Sequence, residues 1–175
     1  MKKIYAIVLA ALLVGCSEQS PQRPSQIKRG VEVAESDTHG LEGEMALMQL
    51  NKELAEAADA TLHRLATEQT EPYALYEGGV WAHVKTVGEG EKPKEGEECT
   101  VHMRVMRMDG QLFSDEEVTA VVGKYVFLPA VDKNISEWPH GSSIRMLVPW
   151  YSAYGIQGTE QVPSYENVMI ELDIR

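Results

Sequence analysis

Cysteine is nearly absent from these 175 residues: there are two, Cys16 and Cys99, and no Cys-x-x-Cys pair. A dithiol redox centre is therefore excluded. Long apolar runs are missing too, since the most continuous stretch, Ile4 to Val14, falls short of the roughly 20 residues that a membrane-spanning helix needs. No G-x-S-x-G elbow and no phosphate-cradling glycine loop occurs, so hydrolase and nucleotide-dependent chemistry lack their residues. The histidines, at positions 39, 63, 83, 102 and 140, have no metal-ligand spacing, and neither a metal nor any other cofactor is expected. Basic residues are in deficit as well, with 16 Lys and Arg against 27 Asp and Glu. Polyanions repel such a chain, so nucleic acid is not an expected partner.

What is present starts at the N-terminus. Lys2 and Lys3 precede the short apolar run, which reads as an export signal rather than a spanning helix. Leu13-Val14-Gly15-Cys16 resembles the processing box of a bacterial lipoprotein precursor. That resemblance implies a signal peptide over residues 1–15, lipidation of Cys16, and residence in the cell envelope, at the outer membrane facing the periplasm. Two or three acyl chains hold a protein on a membrane far more firmly than one. Losing Lys2 and Lys3 leaves 14 basic against 27 acidic residues, so membrane contact should come from the lipid anchor alone. Cys99, then without an intramolecular partner, reads as a buried packing thiol in the strand-like Cys-Thr-Val-His.

Residues 16–40 are rich in Ser, Gln, Pro and Glu. They carry too little apolar surface to offset the entropy of ordering and predict a flexible tether. The segment 41–70 differs: between Glu44 and Thr67, leucines and alanines at positions 47, 50, 54, 58, 62 and 65 recur at three- and four-residue steps, with no Pro or Gly inside. The spacing predicts an amphipathic helix. A lone helix of this length is marginal in water, so it should dock on the following domain or pair with a copy of itself. Docking, and hence a monomer rather than a dimer, is the favoured reading.

Beyond Pro72 the period changes to two. Val80 to Val87, Cys99 to Met106, Ser143 to Val148 and Val168 to Ile174 each read as strands, separated by Gly, Pro and Asp-Gly turns. Few residues remain for helices. The fold class is therefore α+β, an antiparallel sheet with one covering helix and the amphipathic helix before it.

Within residues 71–175 a series of short pieces occurs in a fixed order. Gly79-Val80-Trp81 is followed by Gly88-Glu89-Gly90, Lys92-Pro93-Lys94-Glu95-Gly96 and Thr100-Val101-His102; then come Asp109-Gly110-Gln111-Leu112-Phe113, Ala153-Tyr154-Gly155 and Val162-Pro163 before the terminal strand. Together they resemble an FKBP-type peptidyl-prolyl cis-trans isomerase domain. The resemblance implies a bent antiparallel half-barrel of five or six strands wrapped round a short helix near Val131 to Glu137. It also implies isomerase activity, with no cofactor, on proline-containing polypeptides.

The family's proline pocket maps unevenly onto this chain. The resemblance assigns catalytic positions to Phe113, to Tyr154, whose family counterpart bonds a substrate carbonyl, and to Asp115, if a bulge lets it stand for the family's aspartate in place of Ser114. It assigns an apolar substrate cup to Met103, Phe127, Leu128, Val131, Val162 and Ile170. Met103 replaces a tyrosine, and Val131 falls where the family has the tryptophan of the pocket floor. Phe113 can equally be a core residue, and Tyr154 can equally tie down its own loop. Two functions therefore remain: a membrane-anchored isomerase and folding helper for exported proteins, or a catalytically weak binding module for an envelope protein.

Overall fold

The structure, a computed structural model, describes the backbone of residues 36–175 and the side chains from residue 40 onward. The expected signal segment, Cys16 and most of the expected tether lie outside the described residues. The tether's end is corrected, because helix α1 spans Ser36–Glu68 and begins within it. No proline interrupts this stretch, and the helix runs through Gly40 and Gly43, each costing about 1 kcal/mol relative to Ala.

Six strands form one sheet in the order β1-β2-β5-β6-β3-β4, with every pairing antiparallel. They are β1 (Ala74–Tyr76), β2 (Val80–Thr86), β3 (Glu98–Arg107), β4 (Leu112–Val121), β5 (Ser143–Val148) and β6 (Val168–Ile174). The predicted limits of β5 and β6 coincide with those observed. The short helix is α2, Pro129–Asn134, extended by a 3₁₀ turn over Ile135–Glu137. Pro129 opens it, where a missing N–H costs nothing.

Side-chain alternation gives the sheet two unlike faces. Val101, Met103 and Val105 of β3, Ile144, Met146 and Val148 of β5, and Ile170 and Leu172 of β6 form one apolar face, packed with Ala130, Val131 and Ile135 of α2. Cys99 is buried in the same core, and burial raises its thiol pKa. Trp138 is buried there too, 5.1 Å from the ring of Tyr76. The opposite face carries an ionic network: Glu171 accepts from Lys85, Arg104 and Arg145.

One end of that ionic face is covered by α1. Leu62 and Ala66 pack on Leu147, with Trp81, Met108 and Met169 around them. Docking holds only for the C-terminal half of the helix. Leu47 and Leu50, expected on the docked face, are exposed, as are Leu41, Met45 and Met48. A helix of 33 residues is about 50 Å long and outruns the sheet it lies on.

Candidate active site

Register places the site. On β4, Ser114 stands opposite the buried Val105 and Glu116 opposite the buried Met103. Directly opposed residues point to the same face, so Ser114 and Glu116 face the α2 side. The pairing shifts between Val105 and Met106, which meets Leu112. Phe113 is the extra residue of this bulge; it packs against the core, and the Arg107 guanidinium lies 5.5 Å from its ring centre.

Two adjoining cavities open on this face and share Tyr154 and Glu116. The apolar one, about 320 Å³, is walled by Met103, Val118, Val126, Phe127, Leu128 and Pro129. The second, about 340 Å³ and more polar than the first, is walled by Ser114, Thr159, Glu160, Gln161 and Val162. Pro129 and the turn before it put Phe127 and Leu128 at the mouth of α2, while residues 149–167, the connection from β5 to β6, deliver Tyr154.

Tyr154 is half-buried, and its hydroxyl pKa is raised, first by burial; the Ser114 hydroxyl opposes this and the Glu116 carboxylate adds to it. The phenol therefore stays protonated, a donor, at neutral pH. The Ser114 hydroxyl oxygen is itself shielded from solvent and outside good hydrogen-bond geometry to any partner, near enough to Tyr154 to act on it electrostatically. Among the described residues no backbone carbonyl takes the Tyr154 hydroxyl, so the side chain does not tie down its own loop.

The structure brings together Met103, Phe127, Leu128, Tyr154 and Val162 of the expected set. Val131 and Ile170 are fully buried in the core and line neither cavity, and neither does Phe113. Asp115 is not brought to the cup. It lies on the opposite face of β4, with an oxygen 2.7 Å from His102 Nε2 and the other 3.4 Å from Arg104 Nε. The bulge falls before Ser114, so alternation places 114 and 116 inward and 115 outward. Glu116, Ser114 and the 159–161 segment were not anticipated. The first two follow only from the β3–β4 register, which sets Glu116 opposite Met103 and Ser114 opposite Val105.

Residues 89–174 match the model of the FKBP-type peptidyl-prolyl cis-trans isomerase family. The chain carries an FKBP-type isomerase domain. No curated protein is similar enough in sequence to match, whereas solved structures share the fold. A peptidyl-prolyl cis-trans isomerase of Pseudomonas syringae pv. tomato superposes with a TM-score of 0.60 at 16% identity, over 71% of this chain and 92% of its own. FkpA from Escherichia coli gives 0.60 at 18% identity, over 84% of this chain and 72% of its own. The N-terminal domain of FKBP42 from Arabidopsis thaliana gives 0.54 at 21% identity, over 61% and 92%.

The chemistry of the isomerase domain needs neither nucleophile nor metal. An X-Pro bond resists rotation by about 18–20 kcal/mol because its C–N bond has double-bond character. Twisting the bond reduces its dipole, so an apolar wall that excludes water favours the twisted state over the planar one. A donor beside that wall holds the substrate carbonyl in place. Tyr154, bordering both cavities, has the chemistry for this.

Proposed function

We propose that this protein is a membrane-anchored isomerase that accelerates X-Pro rotation in exported polypeptides. Proline is held in the apolar cavity by Met103, Phe127 and Leu128, the preceding carbonyl accepts a hydrogen bond from Tyr154, and Val162 closes the far rim. The observation that carries this reading is the position of Tyr154, which borders both cavities and whose hydroxyl pKa is raised by burial. The anchor is Cys16, at the end of its lipoprotein-like box. Partners are proline-containing polypeptides or one envelope protein, and the favoured state is a monomer.

A second reading is favoured by Val131 and Ile170, which are sealed in the core where the family's floor is aromatic: a shallower cup that binds polypeptide without turnover. A protease-coupled assay on X-Pro tetrapeptides separates the two. Isomerisation above the spontaneous rate at micromolar enzyme, reduced in Tyr154→Phe, supports the enzyme. Saturable binding with no rate above background supports the binding module. For the anchor, wild type is expected in the detergent phase with membranes and Cys16→Ala in the aqueous phase; equal membrane retention of the two would remove the lipoprotein assignment.

A further inference from the structure

The connection that delivers Tyr154, residues 149–167, contains no strand and no α-helix. Irregular segments longer than about 12–15 residues are uncommon in compact domains and usually serve a function. Its internal bonds shape it locally: Gly155 N–H donates to Trp150 O at 2.8 Å, Gly158 N–H to Tyr154 O at 3.2 Å, Tyr165 N–H to Gly155 O at 3.2 Å, and Trp150 N–H to Asn167 Oδ1 at 2.9 Å. The outward ties run to α1. Trp150 Nε1 donates to Leu54 O at 3.5 Å, the Tyr151 hydroxyl donates to Asp59 Oδ1, and the Tyr165 hydroxyl donates to Asn51 Oδ1 at 2.9 Å. These partners, at 51, 54 and 59, occupy about two successive turns of the helix.

The three aromatic residues form one group, since Trp150 meets Tyr151 edge-on at 5.5 Å and Tyr165 at 4.9 Å. They bracket Tyr154 in sequence. On the other side the same 3₁₀ turn, Trp150–Ser152, is fixed to the β1–β2 turn by Ser152 Oγ, which donates to Gly78 O at 2.7 Å. Gly79 has φ +75°, and a Cβ there would run into the Tyr151 hydroxyl. The hairpin is thus cut back where Tyr151 passes to reach Asp59. Burial, then the hydrogen bond to Asp59, pushes the Tyr151 pKa up, which keeps its proton on the donor side.

These ties lie about one to three turns before the apolar cluster at Leu62 and Ala66, in a stretch where Leu54 and the buried Ala58 also meet Trp150 and Tyr165. We propose that the Asn51–Asp59 stretch of α1 is a brace for the Tyr154 loop, with Tyr151 and Asp59 as positioning residues of the isomerase. The inference rests on the isomerase reading of Tyr154 and extends it to a helix outside the cavities. A displaced donor loses rate steeply, because misplacement by about 1 Å can cost about a hundredfold.

The test uses the full-length chain carrying Tyr151→Phe, Asp59→Ala or Asp59→Asn, with and without Tyr154→Phe, and reads tetrapeptide isomerisation together with amide hydrogen exchange. Tyr151→Phe and Asp59→Ala should lower kcat/KM severalfold, mainly in kcat, and speed exchange in 153–165 while β3 and β6 keep wild-type protection. Asp59→Asn, which retains the acceptor oxygen, should restore most of both. In the Tyr154→Phe background Tyr151→Phe should cost little more, because the two act through one hydroxyl. Additive losses, or an unchanged rate in Tyr151→Phe, would overturn the proposal. If wild type has no isomerase rate, the isomerase reading fails by itself, and unchanged loop exchange in Tyr151→Phe would overturn the brace as well.

Discussion

Arg145 and Glu171 face each other across β5 and β6, and two guanidinium nitrogens of the arginine lie 3.0 and 3.3 Å from one carboxylate oxygen of the glutamate. Lys85 reaches the same oxygen at 2.5 Å, and Arg104 reaches the other at 3.1 Å. One carboxylate therefore joins three strands, β2, β3 and β5, to its own strand β6. Three cations around it make the ionised form an integral part of the sheet's outer face.

This geometry sets an acid limit on stability. The Glu171 pKa is lowered from its ordinary 4.5, first by the hydrogen bond from Lys85, with burial opposing and Arg145 adding to the lowering. A depressed carboxylate stabilises the fold fully above its unfolded pKa and loses that contribution as pH falls through the folded value. Melting temperature should be flat in this respect above about pH 5 and decline below about pH 4. Glu171→Gln should be less stable than wild type at neutral pH and show a shallower acid decline, measured by thermal unfolding across pH. An identical decline in the variant would contradict this role for Glu171.

Docking of α1 is local. Leu62→Ala removes a fully buried side chain and should destabilise by about 2–5 kcal/mol, whereas Leu47→Ala, at a position 51% exposed, should change stability by less than about 0.5 kcal/mol. Urea titrations of both variants at several protein concentrations check this. A large, concentration-dependent effect of Leu47→Ala would show instead that the exposed half is covered by a second copy.

Restoring an aromatic floor should fail. Val131 is fully buried, with Ala130 and Ile135 in the same core, so Val131→Trp adds an indole where there is no space, and overpacking costs about 1–3 kcal/mol. The expected outcome is a lower unfolding midpoint and no gain in isomerisation rate. Higher activity with unchanged stability would mean that the floor is open in solution.

Much of the architecture is written in periodicity. β5 and β6 have clean apolar alternation because one face packs on α2 and the other carries charge, and their limits are legible to the residue. β4 is not legible in this way. Its centre is Ser114-Asp115-Glu116-Glu117, without apolar alternation, because it is an edge strand whose charges discourage pairing with other chains. The position of the bulge depends on pairing with β3, which a one-chain pattern does not contain; it falls before Ser114, so Ser114 and Glu116, not Asp115, face the cup. The leucine stripe of α1 has the same character from Leu47 to Leu65, although the sheet beneath it ends part-way. Tyr154 was found through the order of short motifs, whereas its ties to α1 join residues about a hundred positions apart and leave no local signature.

The strand order has a consequence for how the molecule is made. Of the six strands, β6 is the last to be synthesised, yet it lies in the interior of the sheet, between β5 and β3. Before it arrives, β1-β2-β5 and β3-β4 share no backbone hydrogen bond. Its final turn of chain then closes both sides at once, with Ile174 bonding Gly141 and Ser142 and Arg175 bonding Thr100. A nascent chain emerging N-terminus first can therefore pair β1-β2-β5 and β3-β4 separately, but the two halves are joined into one sheet only when β6 is released.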